Sequence, residues 1–354
     1  MIKVMSLFTG MGGMDVGFAH QVQVHKNSVD SNFIDREAEI ENFVYLKRMP
    51  FEVVFQNDIL NSAKKIAEWN NWAHNYVCKD IRSLLEENFN FPYADVICGG
   101  FPCQDFSHSG KRKGLNSKRG TLYQCFVDVV NRVKPKMFVA ENVHGLLTMK
   151  GNPIKQIVDD FSNAGYVVEY QLLKCEDYGI PQTRWRVIIM GVRKDIINTL
   201  SNGWNIIDYN KRRCTLKHYF KHLKEPNKTN DPAQRIYSKA AKLNKGQGQK
   251  EICLDNFGPT IRAEHHGNIE FRRHSSGINN ENHLPERRLT VREAALIQTF
   301  PPDTILTEPN KKPTMTAYKP IGNAVPPLLG YLIANKVYNI LEPNHAIFVN
   351  VPHL

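Results

Sequence analysis

Apolar positions in the first half of the chain come in short runs separated by longer amphipathic stretches. The runs are "IKVMSLF" (Ile2 to Phe8), "FEVVFQ" (Phe51 to Gln56), "ADVICGG" (Ala94 to Gly100) and "MFVAENV" (Met137 to Val143). Each has the length and β-branched character of a buried strand. Apolar positions recur at helical spacing from about Ile59 to Trp69, through "TLYQCFVDVVNRV" and through "NPIKQIVDDFSNAG", which Gly165 ends. "YVVEYQLLK" and "RWRVIIMGVR" read as adjacent strands. This alternation predicts an α/β fold with a doubly wound, mostly parallel sheet, whose ligands bind at the carboxyl ends of the strands.

Near Asp195 the pattern breaks, and the text stays Lys-, Asn- and Gly-rich without a sustained period to about Glu286. Regular structure then returns. Thr290 followed by Glu293 forms a capping box before "REAALIQTF", and "PPLLGYLIANKVYNIL" is a final helix with proline in its first turn. The expected organisation is therefore a large domain over 1–193 and 287–354, with a smaller, irregular domain over 194–286. The polar segment from about Val24 to Met49 does not fit the alternation and reads as an inserted helix or loop.

Composition narrows the class. The chain has 354 residues, 42% apolar and 23% charged, as in a soluble globular protein. No apolar run approaches the roughly 20 residues that span a bilayer, and "MIKVMSLFTG" lacks a signal-peptide core. Seven cysteines, none in C-x-x-C spacing, point to a reduced, cytoplasmic protein without a structural metal. The net charge is +11, and Lys194 to Arg288 holds 18 Lys and Arg against 10 Asp and Glu, an excess of 8. A basic segment of this kind attracts a phosphate backbone, unless it is only a solvated surface.

The candidate chemistry sits at strand ends. In "FTGMGGMDVGF", Gly10, Gly12 and Gly13 permit a tight turn and close approach of a ligand, but their spacing departs from the dinucleotide G-x-G-x-x-G. A nucleoside ligand without pyrophosphate, such as S-adenosylmethionine, fits better, and a nicotinamide dehydrogenase is disfavoured. Asp58 and Asp80 follow strand-like stretches and suit ribose hydroxyls or an adenine edge, or else cap helices. In "GFPCQDFS", Cys103 ends a strand. It is either a nucleophile, acting as thiolate, or an inert buried thiol. Glu141 is a proton donor to a ring nitrogen or a helix cap. Arg184 and Arg186, two apart in a strand, share one face, in a cleft or along a basic edge.

These pieces, in this order, resemble the cytosine-C5 DNA methyltransferases of bacterial restriction–modification systems. "LFTGMGG" is similar to the family's first cofactor motif, "GFPCQDFS" to its nucleophile motif and "SGKRKG…RGTLY" to its mobile catalytic loop. "ENV", "QTRWRV", "RRLTVREAALIQTFP" and "YKPIGNAVPP" follow as in the family. The resemblance implies a methyltransferase fold, S-adenosylmethionine as cofactor and double-stranded DNA as substrate. It implies a target-recognition domain in the irregular region and a monomer, with a cognate endonuclease as a possible partner. Cofactor contacts carried over are Phe8, Gly10, Met11, Gly13, Asp58, Ile59, Asp80, Ile81, Pro102, Leu122, Asn323 and Ala324. The chain departs from the family at Ser6, where members carry an acid, and at Ile59, where an aromatic is common.

By the same resemblance, Cys103 adds to C6 of a flipped cytosine, Glu141 serves N3 and Arg184 holds O2, with Arg186 beside it. Ser109 enters the space left by the base, and Lys111, Arg112, Lys113, Lys118 and Arg119 meet phosphates. In "GPTIRAEHHGNIEFRR", Thr260-Ile261 looks like the family's Thr-aliphatic signature. Arg262, His265, His266, Arg272 and Arg273 are the candidates for base or phosphate contact. Two other functions compete. One is an RNA cytosine-C5 methyltransferase, against which the roughly 90-residue insert argues. The other is a catalytically silent DNA-binding module, against which the intact Cys103, Glu141 and Arg184 argue.

Overall fold

The computed structural model describes residues 1–102, 122–197, 206–207, 212–239, 250–263, 271–273 and 287–343. Its strands are β1 (Ile2–Leu7), β2 (Gln23–His25), β3 (Ile34–Glu37), β4 (Phe43–Leu46), β5 (Phe51–Asp58), β6 (Tyr76–Cys78) and β7 (Val96–Gly99). They continue as β8 (Met137–Val143), β9 (Tyr166–Lys174), β10 (Trp185–Arg193), β11 (Lys250–Glu251), β12 (Phe271–Arg273) and β13 (Arg287–Arg288). Seven of them form one sheet in the order β6-β5-β1-β7-β8-β10-β9. β10 runs antiparallel to β8 and β9, and the other pairings are parallel.

The period of two in the central strands divides the core into two layers. Val4, Cys98, Met137 and Val139 face one side, and Met5, Leu7, Ile97, Phe138 and Ala140 face the other. The first side is covered by helices Gly13–Ala19 and Pro327–Leu341, so the end of the chain completes the domain begun at its start. The second side is covered by Leu122–Val133 and Pro153–Asn163, which contribute Phe126, Val130, Ile157 and Phe161. The capping box at Thr290 and Glu293 is present, with both reciprocal bonds. No helix among the described residues is long and apolar enough to cross a membrane.

Two expectations need correction. The segment at 24–49 is more than an inserted helix or loop: apart from two short 3-10 turns, Lys26–Ser28 and Ser31–Phe33, it is built on β2, β4 and β3, a separate three-stranded antiparallel sheet. Its edge strand β3, "IDRE", carries no fully buried residue, so its polar character concealed a strand. The helix expected from Ile59 begins instead at Asn61, leaving Ile59 69% exposed at the strand end. The described parts of 194–286 are short and irregular, with helices Lys194–Ile197, Leu216–Phe220 and Pro232–Arg235. β12 pairs with β11 and also with β13, so a three-stranded sheet joins the 194–286 region to the return segment at Arg287 and Arg288.

Burial in this frame has a pH consequence. His20 and His25 are both pushed down from 6.5 to about 4, first by burial. For His25, the facing groups His218, Lys26, His222 and Lys221 act in the same direction. The unfolded chain therefore binds more protons than the folded one below about pH 6.5, and stability falls as pH drops from there through about 4. Urea denaturation across that window should show the loss, and His25→Phe should make the slope shallower than in the unaltered protein.

Candidate active site

The chain leaves β1 through Phe8, which has φ 53°, and turns through Gly10, with φ 57°. A side chain at Gly10 would meet no atom within 4 Å, so the requirement there is the left-handed backbone, and the space beside it is open. Asp58, at the end of β5, fixes this turn. Its Oδ2 accepts from Gly10 N at 2.8 Å and its Oδ1 from Leu60 N at 2.8 Å. Burial raises its pKa, and the backbone donors oppose that rise. Tyr76 on β6 donates its hydroxyl to Gly10 O at 2.7 Å.

Beneath the turn lies a further carboxylate, on the helix that follows the glycines. Asp15 is fully buried and accepts from Thr9 Oγ1, and from Gln56 Nε2 at 2.6 Å. Ser6 hydrogen-bonds it as well. Desolvation raises the Asp15 pKa, and these donors pull it back. The acid missing at position 6 is thus supplied from the first turn of the following helix. "MD" was visible after the glycines, but only the packing shows that this acid points inward.

The ends of β1, β5, β7 and β8 open onto one cavity of about 730 Å³. Phe8, Gly10, Asp58, Ile59, Asp80, Ile81, Pro102, Leu122, Glu141, Arg184, Arg186, Asn323 and Ala324 all line it. Met11 and Gly13 do not. Met11 is fully buried in the core, and a side chain at Gly13 would strike Val325 O. Asp80 takes the capping role weighed above: it accepts from Arg82 N at 2.9 Å, caps the helix from Ile81 and pairs with Arg82. It reaches the cavity as a capping residue.

At the cavity's other end, Glu141 is 8% exposed, and its Oε1 lies 2.6 Å from Nε of Arg186 on the neighbouring strand β10. Gly100 abuts this carboxylate. A side chain there would stand 2.8 Å from Glu141 Oε2. Asn142 Nδ2 donates to Phe101 O at 3.0 Å, which fixes the backbone that leads into Pro102. Cys103, Ser109, Lys111, Arg112, Lys113, Lys118 and Arg119 lie outside the described residues, as do His265 and His266. For Arg272 and Arg273 the backbone is described, as part of β12. Arg262 directly precedes Ala263, a lining residue.

Arg184 lines the same cavity as Arg186, as expected of a shared cleft, but its guanidinium is bound differently. It sits one residue before β10 begins, so strand alternation does not govern it. It is 2% exposed; Nη1 donates to Ile261 O at 3.1 Å, and Nη2 to Gly322 O at 3.2 Å and Ala324 O at 3.1 Å. Burial pushes its pKa down to about 9, which leaves it charged at neutral pH. Gln182 accepts from Ile261 N at 2.9 Å and donates to Gln298 Oε1 at 2.6 Å. Gln298 in turn donates to Ile321 O and Ala324 O. Thr260 also lies on this clamp, bonded to Thr183 O at 2.5 Å.

A family model described as C-5 cytosine-specific DNA methylase matches residues 2–339. The chain belongs to that family. Type II methyltransferase M.BsuRI of Bacillus subtilis is 32% identical to it, over 96% of this chain and 79% of the relative. M.FnuDI of Fusobacterium nucleatum is 30% identical, over 98% and 97%. A solved prophage-encoded protein of E. coli, titled a putative DNA modification methyltransferase, aligns with TM-score 0.63 at 18% identity, over 97% of this chain and 100% of that one. That likeness concerns the fold. The methylase is thus a DNA (cytosine-5-)-methyltransferase on a Rossmann-like sheet.

The cavity suits S-adenosylmethionine, the methyl donor that the family implies. Open space beside Gly10, a carboxylate at Asp58, an exposed aliphatic face at Ile59 and a second acid at Asp80 offer the donor set of a nucleoside site. Two variants separate the roles of cavity and clamp. Asp58→Ala should weaken binding of S-adenosylhomocysteine by at least about tenfold, measured by calorimetry. Arg184→Met should lower unfolding free energy by about 2–4 kcal/mol in urea, because three carbonyls lose a charged donor.

Proposed function

We propose that this methyltransferase modifies a cytosine swung out of duplex DNA, through a transient covalent bond to Cys103. The observation that carries the reading is the Glu141–Arg186 pair. It stands in the cavity, beside the Gly100–Pro102 segment that leads directly to Cys103. A stacked cytosine does not reach a concave site of this depth, so extrusion of the base precedes chemistry.

C5 of cytosine is a weak nucleophile. Addition of the Cys103 thiolate to C6 makes C5 enamine-like. Glu141 hydrogen-bonds or protonates N3 as charge enters the ring. The arginine at O2 is Arg186 rather than Arg184, because the Arg184 guanidinium is already committed to three carbonyls. S-adenosylmethionine, when bound, supplies the electrophilic methyl that C5 takes up. Phe8, Gly10, Asp58, Ile59, Asp80, Ile81, Pro102, Leu122, Asn323 and Ala324 would hold it. Loss of the C5 proton and departure of Cys103 then release the methylated base.

The region 194–286 is the target-recognition domain in this reading, supported by its charge excess and its attachment beside the cavity through Gly258 to Ile261. Its Arg262, His265, His266, Arg272 and Arg273 carry the contacts to DNA. Ser109, Lys111, Arg112 and Arg119 are the further candidates for contact with DNA in this reading. The relatives named as Type II methyltransferases support a protective role beside an endonuclease that reads the same site. An RNA substrate finds no support in the family's description.

Bisulfite sequencing of DNA from cells that express the protein tests this. The expected result is one short sequence whose cytosine resists conversion, with Glu141→Gln lowering the methylated fraction at least about a hundredfold. Complete conversion everywhere, with methyl label appearing in RNA, would overturn the substrate.

A further inference from the structure

The inserted sheet of β2, β3 and β4 contributes no residue to the cavity among those described, yet it is well buried where it meets the second domain. Ser28 and Tyr219, both fully buried, share a hydroxyl–hydroxyl hydrogen bond of 2.9 Å. Asp30 forms an ion pair with Arg212. Phe43 on β4 stands edge-on to Tyr219 and to His222, with ring centroids 5.5 and 5.2 Å away. The His25 ring lies 4.8 Å from that of His218. Tyr219 and His218 lie on the short helix Leu216–Phe220 of the second domain.

From the other side this helix is tied to the segment that enters the clamp. Leu216 N donates to Asn256 O at 3.0 Å and Lys217 N to Leu254 O at 2.7 Å. Two residues beyond Asn256, Gly258 begins the stretch held by Gln182, Thr183 and Arg184. A continuous path of contacts thus runs from the insert, through the helix, to the roof of the cavity. A slip of the helix on the insert would leave two buried hydroxyls unpaired, which is costly enough to fix one pose.

We infer that the inserted sheet is the seat of the recognition domain, with Ser28, Asp30 and Phe43 as positioning residues that set its pose and hence the enzyme's affinity for DNA. The inference rests on the reading of 194–286 as the DNA-reading domain. The seat acts on DNA binding alone, because the methyl-donor residues stand on other elements.

The test is a charge swap at a pair whose side chains are partly exposed, 39% for Arg212 and 21% for Asp30, so that folding tolerates it. Asp30→Arg and Arg212→Asp are each expected to raise KM for DNA about fivefold, the upper range for such a pair. Both should leave kcat and the affinity for S-adenosylhomocysteine within about twofold, and the double variant should recover most of the lost KM. Ser28→Ala, which deletes one oxygen, is expected to raise KM likewise and carries the test if a charge reversal does not fold. The inference is overturned if KM is unchanged in folded variants, or if the affinity for S-adenosylhomocysteine falls as KM rises. Failure of the double variant to recover also overturns it, since Arg212 then acts on DNA directly. An unaltered protein that methylates no DNA sinks the parent reading instead, and the control shows this before any variant is compared.

Discussion

The structure hangs on one buried polar clamp. Arg184 reaches two parts of the chain that lie 77 and 140 residues downstream, and it does so through backbone carbonyls. Its neighbour Gln182 engages Gln298 and Ile261, and Gln298 passes the connection on to Ile321 and Ala324. No strand pairing of the main sheet joins these segments. A buried guanidinium without partners is costly, so satisfying Arg184 forces the three segments together. What they enclose is the cavity: Ala263, Gly322, Asn323 and Ala324 form its wall opposite the strand ends.

The sheet supplies the other wall by a more general rule. Parallel strands point their carboxyl ends to one edge, and the turns after β1, β5, β7 and β8 collect there. The two halves of the site then differ in electrostatics. On one side Asp58 and Asp80 present acids bonded to backbone N–H groups, suited to hydroxyls and amines. On the other, Glu141 and Arg186 pair across two strands and present a carboxylate beside a cation. Antiparallel β10 makes this pairing possible, because its register sets Arg186 opposite Val143, two residues from Glu141.

The sheet was legible in the sequence because strands buried on both faces leave unbroken apolar runs, and "VMSL" or "VICG" can be little else. The cavity residues were legible for a related reason: motifs that end such runs fall at one edge of the sheet. Three features were not. β3 has one partly buried position and three exposed ones, so nothing in "IDRE" distinguishes a strand from a loop. Asp15 lies within a helix turn whose polar residue would ordinarily face water; only the neighbouring Thr9 and Gln56 donors show that it faces inward. Arg184 precedes the strand, and the distant carbonyls that claim it are invisible to local pattern.

The central claim is that the cavity exists to hold a pyrimidine while Cys103 is bonded to its ring. A duplex carrying 5-fluorocytosine at the enzyme's own target measures this directly, because fluorine at C5 cannot leave as a proton does. Incubated with S-adenosylmethionine, the protein should form a denaturant-stable complex of one chain per duplex, and peptide mapping should find the nucleotide on Cys103. A full yield of methylated ordinary duplex with no such complex, or attachment to any other residue, would contradict the account.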